Sequence, residues 1–183
     1  PVRLIGHSRG GHIAFRVAQH HPELLSALVL VEPGGELDET LGGAPPAGQQ
    51  ASAFGKAAAL IAEGKVEDGL IVVAEHTGGP GAWAKRSEAR KAVNRDNATT
   101  LLGQVNEQRK PYATAEAQGI TLPTLLVGGA QSQPQFGRIL DALAPAMPNA
   151  TRVTIARAAH SVQADNPADF NAAVLSFLEA RRG

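Results

Sequence analysis

The chain has 183 residues, the length of one domain, and its 17 basic and 17 acidic side chains cancel to a formal net charge of zero. Basic residues are scattered and there is one Trp and one Tyr, which argues against nucleic-acid binding, and no apolar run is long enough to span a bilayer. With no Cys, neither a disulfide framework nor a thiolate metal site can form.

The chain opens in mid-strand without a Met, so any N-terminal leader is out of view. Val2, Leu4 and Ile5 give a short buried strand over 2–5, and a helix is predicted over 9–20. Small residues Gly10, Gly11, Ala14 and Ala18 would let that helix approach the sheet, and His20-His21-Pro22 ends it. Leu24-Leu25 and Ala27–Val31 form a second strand, apolar throughout as a parallel strand covered on both faces would be. It stops at Glu32-Pro33-Gly34-Gly35.

Residues 38–50 read as a loop rich in Gly, Pro and Ala. Helices are predicted over 51–63, 66–75, 87–94 and 99–108, with Asn97 as a candidate cap for the last. The core pattern then returns. Leu122–Gly129 is a strand running into a glycine turn, 136–143 a helix and 151–155 a strand. Asn166-Pro167-Ala168-Asp169 starts a final helix, 167–181, closed by Arg181-Arg182-Gly183. Strands alternating with helices predict an α/β fold with a parallel sheet.

Between the first strand and first helix lies Gly6-His7-Ser8-Arg9-Gly10, of the form G-x-S-x-G. Strand, sharp turn and helix is the setting of a nucleophile elbow, where small flanking residues make room and the serine sits strained and exposed. The helix start then aims N–H groups, Arg9's first, at negative charge forming nearby. On this motif and the elements around it, the chain resembles the α/β-hydrolase family, serine branch.

The resemblance implies that these four strands are the last four of an eight-strand sheet. It predicts a partial doubly wound parallel sheet, with core segments 1–35 and 119–183 and a helical lid over 36–118. The upstream strands and the loop giving the second oxyanion donor would be missing, leaving a fragment nearly inactive alone and an unpaired edge at the first strand.

Serine acyl transfer needs a base and an acid to orient it. His160, in Ala158-Ala159-His160-Ser161, follows the last strand, where the family places its catalytic His. His7 adjoins the nucleophile and would shape the pocket; His12 reads as structural, His20 and His21 as an exposed helix end, and His76 as a bland lid residue. Most of the family carries an Asp shortly after the strand equivalent to Leu122–Val127. Here that stretch is Gly128-Gly129-Ala130-Gln131-Ser132-Gln133, without a carboxylate. Some branches use the end of the strand after the nucleophile helix, where this chain has Glu32. Glu32 is therefore either the relocated acid or a strand-end residue at the lid hinge.

The expected function is a serine hydrolase acting on an ester-like small molecule through an acyl-enzyme, located in the cytoplasm, with no cofactor or metal and an oligomeric state that the sequence leaves open. Two alternatives stand. A C–C bond hydrolase of a ring-cleavage product would need an Arg clamp, for which Arg86, Arg90 and Arg95 are available; a catalytically weak ligand-binding member would explain the missing acid. Trp83 is either a pocket wall or a lid anchor.

Overall fold

The computed structural model describes residues 1–44, 52–104, 107 and 109–180. The predicted features at 45–51, at 105, 106 and 108, and at 181–183 lie outside the described residues.

In chain order the elements are β1 (Val2–His7), α1 (Arg9–His20), β2 (Leu25–Val31), α2 (Ala53–Ala62), α3 (Val66–Gly78), α4 (Glu88–Asp96), α5 (Thr100–Gln104), α6 (Thr114–Gly119), β3 (Thr124–Gly129), α7 (Pro134–Ala146), β4 (Ala150–Ile155), α8 (Val162–Asp165) and α9 (Pro167–Glu179). Two compact units result: Pro1–Pro45 with Lys110–Gly183, and Pro46–Arg109.

The first unit holds one sheet of four parallel strands in the order β1-β2-β3-β4. Alternation along β2 explains how helices cover both faces. Leu28 and Leu30 point to one side, where they meet Ala14, Phe15 and Ala18 of α1 and Ile139, Leu140 and Leu143 of α7. Ala27, Val29 and Val31 point to the other, against Phe170, Val174 and Phe177 of α9. Burying each such large side chain is worth about 1.5–3 kcal/mol.

The expectation of a partial sheet is thereby corrected. The N-terminal strand β1 is a regular six-residue strand, in register with β2 from Arg3 opposite Ala27 to His7 opposite Val31, and the four parallel strands with helices on both faces make a core sheet that includes it. Four strands are fewer than the eight of the resembled family, yet both faces of this sheet are packed by helices. β1 is the outer strand of this sheet, and Val2 and Ile5 on it are exposed.

Two further expectations change. Gly10 has nothing within 4 Å of where a Cβ would sit, so closeness to the sheet does not require glycine there. Gly6 and Gly11 are the tight positions: a Cβ on Gly6 would lie 2.4 Å from the Gly10 carbonyl oxygen, and one on Gly11 3.0 Å from Pro33. Asn97 closes α4 rather than opening α5, its side-chain amide donating to the Val93 carbonyl at 2.8 Å.

After β2 the chain leaves the core and returns beside its own departure. The Tyr112 N–H donates to the Glu36 carbonyl (2.8 Å), the Asp38 N–H to the Tyr112 carbonyl (2.9 Å), and Thr114 bonds Thr40 twice. Tyr112 is fully buried, edge-on to His12 and Phe15, its hydroxyl donating to the Gly34 carbonyl at 2.8 Å. Arg16 of α1 fastens the same passage through the Lys110 and Pro111 carbonyls and the Glu116 carboxylate.

The second unit is helical. α2 and α3 pack through Ala57, Ile61, Leu70 and Ala74, joined by Trp83 and Leu101. Trp83 is buried in this cluster, its indole N–H donating to Glu67, which also receives two bonds from Arg95.

Candidate active site

Parallel strands deliver their C-terminal ends to one edge of the sheet, which is where ligands bind in open α/β sheets. Ser8 follows β1, Glu32 follows β2, and His160 lies between β4 and α8. Ser8 has φ 53° and ψ −120°, the strained turn expected of an elbow. Its backbone is pinned on both sides: its N–H donates to the Val31 carbonyl (3.0 Å), and its carbonyl accepts from Gly11, His12 and Gly34.

Glu32 also sits at positive φ (44°), held by its N–H donating to the Val127 carbonyl at 2.9 Å. That bend turns a fully buried carboxylate along the strand ends. Its Oε1 accepts from the Gly129 N–H at 2.8 Å, and its Oε2 lies 3.3 Å from Nδ1 of His160. On the other side of the imidazole, Nε2 is 2.9 Å from the Ser8 hydroxyl. A carboxylate has only acceptors, so Nδ1 carries the proton and Nε2 presents its lone pair to the Ser8 hydroxyl. Ser8, His160 and Glu32 are thus brought into one hydrogen-bonded line.

The two glycines ending β3 make this reach possible. A Cβ on Gly128 would lie 3.3 Å from Oε1 of Glu32, and one on Gly129 only 2.4 Å from the Ala158 carbonyl in the loop carrying His160. The stretch where an acid was sought carries, in place of a carboxylate, the N–H that holds one.

His7 stands beside His160, ring centroids 4.8 Å apart, and its Nε2–H donates to the His160 main-chain carbonyl at 2.7 Å. It braces the loop that carries the imidazole. Arg9 is the first residue of α1, directly after Ser8, and its side chain is exposed. His12 is buried and bonds the Lys110 carbonyl. Arg95 is engaged by Glu67 and Glu88, and Arg86 donates to Asn94; both belong to the helical unit.

Sequence reasoning missed Phe136. Its ring, on the first turn of α7, stacks on the His160 imidazole with centroids 3.9 Å apart and planes 19° from parallel. The sequence signals only a helix residue there; the stack spans 24 positions and two loops.

The sequence profile of the α/β-hydrolase fold matches residues 1–167, and the chain belongs to that family. The match runs from the first strand almost to the end, which overturns the reading of the chain as a C-terminal fragment of the fold. The chain is 32% identical over 185 residues to the polyketide synthase ThaQ of Burkholderia thailandensis, covering 96% of this chain and 8% of that protein. It is 26% identical over 200 residues to the sn-1-specific diacylglycerol lipase ABHD11 of Mus musculus, covering 97% and 59%. The chain therefore spans less than two thirds of the length of either relative. In fold it is similar to MenH from S. aureus, with a TM-score of 0.78 at 17% identity over 99% of this chain and 69% of that one.

The family is rich in hydrolases, and the fold is typical of hydrolases that bind small molecules. Among the described residues no helix is long and apolar enough to cross a membrane.

Proposed function

We propose that the protein is a serine hydrolase that cleaves an ester-like small molecule through an acyl-enzyme, with Ser8 as nucleophile, His160 as base and then acid, and Glu32 as the acid partner. The observation that carries this reading is the line Ser8 Oγ, His160 Nε2 at 2.9 Å, His160 Nδ1, Glu32 Oε2 at 3.3 Å. An ordinary structural serine needs no imidazole lone pair aimed at its hydroxyl, and a hinge carboxylate needs no imidazole.

As Oγ attacks the acyl carbon, its proton passes to Nε2. The imidazolium is stabilised by Glu32, whose other oxygen stays fixed on the Gly129 N–H. The Arg9 N–H, first on α1, is the elbow's donor to the oxyanion. His160 next hands its proton to the leaving oxygen, and the acyl-Ser8 is released by water that His160 deprotonates. The mouse relative's name, a diacylglycerol lipase, is that of an ester-cleaving enzyme and agrees with this class. The helical unit inserted between β2 and β3 serves in this reading as the lid.

A fluorophosphonate probe tests the proposal. Labelling of the wild-type protein that disappears in Ser8→Ala is expected. Absence of labelling, or labelling that survives Ser8→Ala, refutes an activated Ser8.

A further inference from the structure

The grip of Glu32 on the imidazole is long. At 3.3 Å it exceeds the ~2.7–2.9 Å of a charge-assisted bond, so the carboxylate alone leaves the ring freedom to tilt. A second restraint lies across the ring's face. Phe136 is buried and stacks nearly parallel at 3.9 Å, while the His7 ring lies 4.8 Å from the imidazole and is tilted by 41°. His160 itself is 8% exposed, so water contributes little to solvating a charge on it.

We propose that Phe136 is a positioning residue for His160, holding the imidazole in line with Ser8 and stabilising its positive charge through the π-face of the ring. The inference rests on the serine-hydrolase reading above. Its physical basis is the ring quadrupole, which attracts a cation lying over the face more than a neutral ring. Charge on His160 appears only as Ser8 gives up its proton, so the contact strengthens toward the transition state and thereby raises the rate. The stack also explains what the segment after β3 contributes. It brings no carboxylate to His160; it brings an aromatic ring on α7, beyond the Gly129 N–H that ends β3 and holds Glu32.

Among the described residues, the titratable and charged groups that face His160 come from three elements and its own loop. Glu32 faces it from the end of β2, His7 and Ser8 from the elbow, and α7 presents the uncharged Phe136. In its own loop, Asp165 of α8 accepts from the Ala159 N–H. None of these charges changes when position 136 is substituted, so a shift in the pH profile reports the ring itself.

The test is the second-order rate of Ser8 labelling by a fluorophosphonate against pH, for the wild type, Phe136→Met, Phe136→Tyr and a variant with pentafluorophenylalanine at position 136. Methionine fills the space without a π-face. The fluorinated ring keeps the shape and reverses the quadrupole, so it answers the question even where Phe136→Met fails to fold. Losing the ring disfavours the protonated imidazole, so the reactive neutral form persists to lower pH. Phe136→Met is expected to move the acid limb about half a unit or more toward lower pH and to slow labelling on the plateau by about fivefold. The fluorinated ring is expected to move the limb in the same direction, and Phe136→Tyr to retain the wild-type profile. An acid limb that stays in place in both the methionine and fluorinated variants, with the wild type labelling normally, overturns this proposal alone. Loss of Ser8-dependent labelling in the wild type removes the hydrolase reading beneath it.

Discussion

Replacing Glu32 by Gln removes one charge and almost no volume, which isolates what the carboxylate does. The amide has two ways to fit. With its oxygen kept on the Gly129 N–H, its NH2 faces Nδ1 of His160, and two donors cannot meet there. The imidazole must then carry its proton on Nε2, pointing at Ser8, where it cannot accept the hydroxyl proton. In the flipped orientation the NH2 meets the Gly129 N–H instead, and a buried donor without an acceptor costs about 1–3 kcal/mol. The first orientation therefore dominates and traps the wrong tautomer. Triads that lose their acid in this way lose on the order of 10⁴ in turnover. The longer 3.3 Å contact here places the expected loss at about 10³–10⁴, or roughly 4–5.5 kcal/mol in the barrier. Ester turnover and fluorophosphonate labelling rates, read beside thermal unfolding of the same samples, measure it. A loss below about tenfold in a folded Glu32→Gln protein refutes the assignment of Glu32 as the acid.

The elbow's two glycines should behave unequally. Gly6→Ala places a methyl 2.4 Å from a backbone oxygen and 2.7 Å from Ala14, and should abolish labelling and lower the unfolding midpoint, whereas Gly10→Ala meets nothing and should raise helix stability by up to about 1 kcal/mol in denaturant titration. Equal effects at both positions would contradict the packing described. Burial pushes the Glu116 carboxyl up, but hydrogen bonds from Lys110 and Arg16 outweigh it and bring it down to about 2. A depressed carboxyl stabilises the fold above its unfolded value near 4.5 and loses that contribution as pH falls toward 2. Arg16→Met should therefore lower stability at neutral pH and flatten the decline between pH 4.5 and 2, as read by urea midpoints across that range.

The parts of the site written locally are the parts legible in the sequence. The G-x-S-x-G string, a strand before it and a helix after it specify an elbow through nearest-neighbour sterics alone. β1, α1, β2, β3, β4 and α9 fall close to their predicted spans, because continuous apolar runs, Asn166-Pro167 and His21-Pro22 act within a few residues of themselves. Phe136 and Tyr112 were not legible. Each acts through a ring meeting residues on other elements, and no spacing encodes that. Gly10 misled for the same reason: a motif states where glycine is frequent, while only the packing states which glycine is crowded. Glu32 was readable as a candidate by position, but the bend at positive φ that turns its carboxylate along the strand ends belongs to the folded backbone.

The doubly bonded passage between residues 36–40 and 112–114 has a bearing on how this chain tolerates change. Since departure and return are stitched together by backbone and threonine hydrogen bonds and capped by a buried tyrosine, the sheet sees the intervening helices as a closed loop. Lengthening a closed loop is cheap: doubling it adds only about 0.6 kcal/mol of closure entropy. Insertions or deletions between the two sides of that seam therefore cost the sheet little closure entropy, and the seam is where the chain best absorbs a change of length.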